Sequence, residues 1–261
     1  MTRLLLSRRR FLTGAAVSAS TVPLAGCFDS LGQRGGTARG VMESAQWLTY
    51  RVQRWMLGSD SLAQEYAESE IRQPQRPNGT TNPQDADYRR LVAEDFSGYR
   101  LSVSGMVAQP GTFSLDEIRA MPGRTQITRH DCVEGWSCIA KWTGVPLASV
   151  LDAVGVAPAA RFVVFDCYDT MENGFTGPVK YYESIDMEDA RHPQTILAYG
   201  CNDQPLSVAN GAPLRVRVER QLGYKMAKYV RAITVTDTLA GFGEGGGGYW
   251  EDRGYEWFAG I

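Results

Sequence analysis

The residues with the most chemical potential gather around Cys132, in the stretch HDCVEGWSCIAKWTGVPL at 130–147. Asp131 adjoins the thiol, Glu134 follows two residues later and His130 precedes it by two. Two chemistries are open to such a cysteine. As a nucleophile it needs a base, and His130 is placed for that, because residues two apart on a strand share a face. Asp131 and Glu134 work against it, since nearby carboxylates raise a thiol pKa and deplete the thiolate. As a metal ligand the thiolate is stabilised by the metal's own charge, and the flanking acids matter less. One protein thiolate is enough when an organic cofactor supplies the metal's other ligands, and the protein must then grip that cofactor elsewhere. With only His130 and His192, and no Cys-x-x-Cys or Cys-x-x-Cys-His, the chain is poorly equipped for zinc, a thioredoxin-like centre or covalent haem. Besides Cys27 the chain has four cysteines, Cys132, Cys138, Cys167 and Cys201, and the plain expectation for them is one or two disulfides, as exported chains often carry.

A second cluster is cationic. NGAPLRVRVERQLGYKMAKYVRAITV, 210–235, carries Arg215, Arg217, Arg220, Lys225 and Lys228 in a chain of formal net charge −2. Such a run is either the solvated face of an edge strand or a cradle for an anion, which favours a fixed guanidinium, a lysine and backbone N–H donors. The overall balance gives no footprint of nucleic-acid binding.

The elements that must position these residues are mostly strands. YRLSVSGMV (99–107), TQITRHDC, RFVVFDC, TILAYG, APLRVRVE and KYVRAITVTD have β character, interrupted by short helices. Ser114 and Glu117 form a capping box for a helix over 114–121, and Gly155 ends a helix over PLASVLDAVG. The order is not a regular β-α repeat, so an α+β, β-rich domain is expected. Residues 41–57 place Val41, Ala45, Leu48, Val52, Trp55 and Met56 at helical spacing, predicting an amphipathic helix packed on the body of the protein. Residues 72–87 are rich in Pro, Asn and Gln and form an irregular segment, and the glycine- and aromatic-rich tail is expected to drape over the domain.

The N-terminus, SRRRFLTGAAVSASTVPLAGC, resembles a twin-arginine export signal with Arg8-Arg9, followed by a lipobox-like LAGC that makes Cys27 the lipidated first residue of the processed chain. Removing 1–26 takes the net charge from −2 to −6. The expected organisation is a signal over 1–26, a linker with the amphipathic helix over 27–70, a catalytic domain over 71–238 and the tail over 239–261. The expected location is the periplasm or cell envelope.

DCVEGWSCIAKWTGVPL and the segment 210–235 together resemble the two diagnostic stretches of the sulfite oxidase family of molybdopterin enzymes, in the branch of the periplasmic methionine sulfoxide reductase catalytic subunits. The resemblance covers roughly 70–238. It implies a molybdenum–molybdopterin cofactor in a sulfite-oxidase-type domain, with Cys132 as the metal ligand. Asn210 and Arg215 are implied as pterin and phosphate contacts, and Met226, Ala227 and Lys228 as a backbone-and-lysine clamp. Cys167 stands where the branch has a pterin-contacting threonine, and a thiol is the weaker hydrogen-bond partner. Asn78, with Thr81 and Asn82 beside it, matches the family's N-terminal cofactor segment.

The reaction implied is transfer of one oxygen atom and two electrons. Val-Glu-Gly-Trp follows Cys132 where sulfite oxidases carry arginines, and the Glu134 carboxylate repels a dianion such as sulfite. A neutral sulfoxide or N-oxide tolerates it, and Glu134 is placed to relay protons. Trp136 is expected in the core. Without a haem, flavin or iron–sulfur motif, electrons must come from a separate carrier, a membrane cytochrome b or a soluble cytochrome c. Three alternatives stand beside this reading: a sulfite-oxidising enzyme, a cofactor-free thiol enzyme using Cys132 and His130, and a lipid-anchored binding module with a degenerate pocket.

Overall fold

The computed structural model describes residues 37–174 and 177–261. The expected export signal and Cys27 lie outside these residues. The chain divides into two compact units, one running up to Arg51 and the other spanning Val52–Ile261. In the first, the described part is the start of helix α1 (Thr37–Leu57), where Arg51 lies over the Trp47 ring at 5.3 Å.

The second unit holds two five-stranded sheets. The strands are β1 (Arg100–Gly105), β2 (Gly111–Ser114), β3 (Arg124–Cys132), β4 (Trp136–Pro146), β5 (Phe162–Gly174), β6 (Gly177–Asp186), β7 (Ile196–Cys201), β8 (Gln204–Pro205), β9 (Arg215–Arg217) and β10 (Val230–Thr236). One sheet runs β2-β1-β10-β5-β6, with β1 and β10 parallel and the other neighbours antiparallel. The other runs β3-β4-β7-β8, with β9 also paired to β7. The α+β expectation holds, and strands outnumber helices.

The helices follow the local signals. Helix α2 (Ala86–Ala93) is capped by Asp85, whose side chain accepts from the Tyr88 amide. In α3 (Leu115–Ala120) Ser114 and Glu117 form the expected capping box. Helix α4 (Leu147–Val154) ends at Gly155, in the left-handed conformation that costs glycine nothing. It buries Leu147, Val150, Leu151 and Val154 in the main core, each worth about 1.5–3 kcal/mol on burial. Helix α5 (Met187–Arg191) carries Asp189 inward.

Three expectations change. The end of α1 does not pack through its apolar stripe: Val52, Trp55 and Met56 are exposed. Its anchor is Arg54, which donates to Asp186 and Asp189 at 2.8 Å each, so ion pairing replaces hydrophobic contact. Cys132, Cys138, Cys167 and Cys201 are all free thiols. Arg217, Arg220 and Lys225 are buried, not on a solvated face, and each is neutralised by a carboxylate: Glu219 at 2.6 Å, Asp189 at 2.8 Å, and Glu183 with Glu251 at 2.5 Å.

The tail drapes over the domain as expected. The Tyr249 amide donates to the Tyr182 carbonyl (3.0 Å) and the Leu222 amide to the Ala259 carbonyl (2.9 Å).

Candidate functional site

Cys132 closes strand β3, directly opposite Trp136 on β4. The three residues between them, Val133, Glu134 and Gly135, make the hairpin loop; Gly135 has φ +82° and its amide donates to the Cys132 carbonyl (3.0 Å). A left-handed glycine at the end of a three-residue loop is what such a hairpin needs. The thiol is therefore presented at the tip of a rigid ribbon.

Burial pushes the Cys132 thiol up, and the Glu134 carboxylate adds to the shift, against the Glu134 amide and Arg76. That is opposite to what a metal-free nucleophile needs. Asp131 plays no part in it, because its carboxylate is held by Arg129 (2.9 Å) and Ser137. His130 does not serve the thiol either. Its Nδ1 accepts from Arg217 Nη1 at 2.9 Å and lies 3.3 Å from the Met226 sulfur. Burial, then the charges of Arg217 and Arg215, hold this ring well below the usual histidine range, so it is neutral. Trp136 is half-buried, not core: its indole N–H donates to Glu134 (2.8 Å) and its ring lies under Arg76 (4.5 Å).

The hairpin tip opens on a cleft of about 200 Å³. Asn78, Gly79 and Thr80 from the irregular segment line it beside Cys132, Val133 and Glu134. Strands β5 and β6 add Asp169, Met171 and Tyr181, and the cationic segment adds Gly223, Tyr224, Met226 and Lys228. Trp250 and Tyr255 come from the tail.

Arg215, behind this lining, and Lys228, within it, differ from the other cations of their segment: neither has a carboxylate ion-pair partner among the described residues. Arg215 is fully buried over the Trp142 ring (4.9 Å), with Nη1 on the Asn210 carbonyl (3.0 Å) and Nη2 on Asn78 Oδ1 (3.5 Å). Its Nε has no hydrogen-bond partner. Lys228 Nζ donates to the carbonyls of Asn78 (2.5 Å), Thr80 and Ala209 (3.2 Å). Burial first, and mutual or neighbouring positive charge second, bring Arg215 down to about 9 and Lys228 down to about 7. Two buried cations that make no direct ion pair, with Asp169 acting on Lys228 only through space, are costly, and a bound anion is the group that would relieve them. Asn210 Oδ1 and Asp169 Oδ1 are also buried without a partner. Burial raises Asp169 to about 6, with Lys228 opposing the shift.

The expected residues divide accordingly. Cys132, Glu134, Asn78, Met226 and Lys228 line the cleft, and Asn210 and Arg215 back it. Thr81 and Asn82 are exposed and outside it; their neighbour Thr80 turns in instead. Cys167 and Ala227 sit in the main core, Cys167 because β5 is still inside the sheet at that point and reaches the cleft only at Asp169. The Ala227 carbonyl is taken by the Val216 amide at 2.7 Å. Thr80, Asp169, Tyr181, Trp250 and Tyr255 were not foreseen. Only the aromatic richness of the tail hinted at the last two.

Residues 89–241 match the oxidoreductase molybdopterin binding domain. Over 209 residues the chain is 41% identical to a putative protein-methionine-sulfoxide reductase subunit, YedZ1, of Azospira oryzae, covering 80% of this chain and 72% of that protein. Over 145 residues it is 37% identical to the protein-methionine-sulfoxide reductase catalytic subunit MsrP of Ralstonia nicotianae, covering 53% of this chain and 44% of that protein. The sulfane dehydrogenase SoxCD from Paracoccus pantotrophus superposes with a TM-score of 0.49 at 23% identity, over 54% of this chain and 39% of that one. With the match spanning both the Cys132 hairpin and the cationic segment, the chain belongs to the oxidoreductase molybdopterin-binding domain family, of the sulfite oxidase type.

Proposed function

We propose that this protein is an exported molybdopterin oxidoreductase that removes an oxygen atom from a sulfoxide. The observation that carries the reading is the pairing of a thiol at a hairpin tip with two buried cations that make no direct ion pair, Lys228 in the lining of the same cleft and Arg215 behind it. That donor set fits an anionic pterin phosphate and a metal that needs one protein thiolate. Cys132 would ligate the molybdenum, while Arg215, Lys228, Asn210 and Asn78 would hold the pterin and its phosphate. When bound, the molybdenum centre supplies two-electron oxygen-atom transfer.

The chain's own residues supply the rest. The Glu134 amide points a donor at the Cys132 sulfur and favours the thiolate. Glu134, exposed at the mouth and steadied by the Trp136 indole, is the group placed to pass protons between solvent and the cleft. Its carboxylate disfavours a dianionic substrate, which supports a neutral sulfoxide over sulfite. The relatives' names point the same way, since both YedZ1 and MsrP are named for protein-methionine-sulfoxide reductase.

Both names also say subunit, which supports delivery of electrons by a separate carrier, for which a membrane cytochrome b or a soluble cytochrome c is suited. Arg8-Arg9 and the LAGC stretch support export in the folded state and attachment to the envelope through Cys27. Protein made in a molybdopterin-competent host should contain molybdenum and reduce sulfoxides with a viologen donor. Absence of molybdenum, or turnover of sulfite with ferricyanide in place of sulfoxide reduction, would defeat the reading.

A further inference from the structure

The family match ends at residue 241, yet a wall of the cleft comes from beyond it. Trp250 and Tyr255 stand 5.3 Å apart, and Tyr255 meets the Tyr224 ring edge-on at 5.4 Å. The wall is fastened from beneath. Glu251, next to Trp250, and Glu183 of β6 both close on Lys225 at 2.5 Å, with all three buried. The Tyr224 hydroxyl donates to the Glu256 carbonyl at 2.6 Å. Asp252 accepts from the Tyr182 hydroxyl (2.5 Å) and the Gly246 amide (2.8 Å). A buried ion cluster adds little net stability because desolvation offsets its attraction, but it does hold the segment in one position.

What this fastening presents to the cleft is apolar. Trp250 is half-buried and Tyr255 is 40% exposed at the rim, while the Met171 and Met226 thioethers line the interior. The cleft thus combines a cationic back at Lys228 with a soft, aromatic flank. This combination suits a dipolar head on an apolar stem: the head meets the polar groups and the stem lies against the rings, which also attract sulfur. We propose that Trp250 and Tyr255 set substrate specificity by contacting the apolar substituents of the sulfoxide, favouring a methionine sulfoxide side chain over a smaller dialkyl sulfoxide. This rests on the sulfoxide reading above.

The test uses molybdenum-loaded enzyme carrying Trp250→Ala or Tyr255→Ala, assayed with N-acetylmethionine sulfoxide and with dimethyl sulfoxide. KM for the methionine derivative should rise about three- to tenfold, the scale of one lost aromatic contact. The rise should be smaller for dimethyl sulfoxide, kcat should fall less than KM rises, and Trp250→Phe should recover most of the loss. Calorimetric binding of N-acetylmethionine sulfone to the same preparations should weaken by the same factor, independently of turnover. KM values within about twofold of wild type in both variants overturn the inference, as does an equal loss on both substrates, which would mark the wall as structural only. Tyr255→Ala, a change at the rim, decides between these outcomes if Trp250→Ala does not fold. Wild-type enzyme that reduces no sulfoxide overturns the functional reading and this inference with it, whereas normal wild-type turnover shared by the variants overturns this inference alone.

Discussion

At the scale of single residues, Cys132 and Cys138 sit six positions apart on one hairpin and have different surroundings. Cys132 is half-buried at the tip and lines the cleft, whereas Cys138 is buried with its thiol on Gln75 Oε1 at 2.9 Å. Cys132→Ser should fold and retain pterin, because the groups that would hold the pterin, Arg215, Lys228 and Asn210, are elsewhere. It should lose at least about a hundredfold in sulfoxide reduction, since a serine oxygen is a harder donor than thiolate and alters the metal's ligand field. In Cys138→Ser the new hydroxyl can donate to Gln75 in the thiol's place, so most activity should remain. Pterin release on denaturation and steady-state assay of both variants check the pair; equal inactivity would mean the wrong thiol has been assigned to the metal.

At the scale of elements, the β3–β4 hairpin is the device that aims the site. Gly135 has open space where a Cβ would stand, with nothing within 4 Å, so a side chain there is opposed by its φ of +82° and not by a clash. Gly135→Ala should cost about 1–2 kcal/mol, the usual penalty of a left-handed residue with a Cβ. It should also lower molybdenum content, because relief of that strain moves the Val133–Glu134 turn and the sulfur beside it. Ser114→Ala removes the cap of α3, away from the cleft, and should cost about 1 kcal/mol with molybdenum content unchanged. Denaturant unfolding and metal analysis on the two variants separate loss of stability from loss of aim.

At the scale of the whole molecule, the uncompensated cations predict how stability depends on pH. Lys228 has a folded pKa near 7 against 10.5 when unfolded. Below about pH 7 it is charged in both states and the full cost of burying that charge is present. Above it the unfolded chain holds a proton that the folded one has released, so the cofactor-free protein gains stability as pH rises from about 7 to about 8.5. At higher pH the raised Cys132 and Cys201 thiols act against it. An anion bound at the cations keeps Lys228 protonated and should flatten the gradient. Urea unfolding of cofactor-free, loaded and Lys228→Met protein across that window checks this; an unchanged slope in Lys228→Met would exclude Lys228 as its source.

Patterns that depend on neighbours in sequence were visible without coordinates. The Ser114–Glu117 box, the stop at Gly155, the strand run into Cys132 and the β-rich class all follow from dihedral preferences and side-chain alternation over a few residues. Cys132, the thiol proposed to hold the metal, and the Asn210–Lys228 segment were also visible, through the resemblance of their motifs to a known family. Which cations were free was not visible. Arg217, Arg220 and Lys225 look like Arg215 and Lys228 along the chain, and only folding brings Glu219, Asp189, Glu183 and Glu251 to three of them and to neither of the other two. The same holds for the cleft's far side. Asp169 faces it because β5 leaves the core there, and Trp250 and Tyr255 reach it because Lys225, Tyr182 and Tyr224, all remote in sequence, pin the tail. Charge compensation and long-range packing act through space between residues that sequence order keeps apart, so tertiary structure alone decided them.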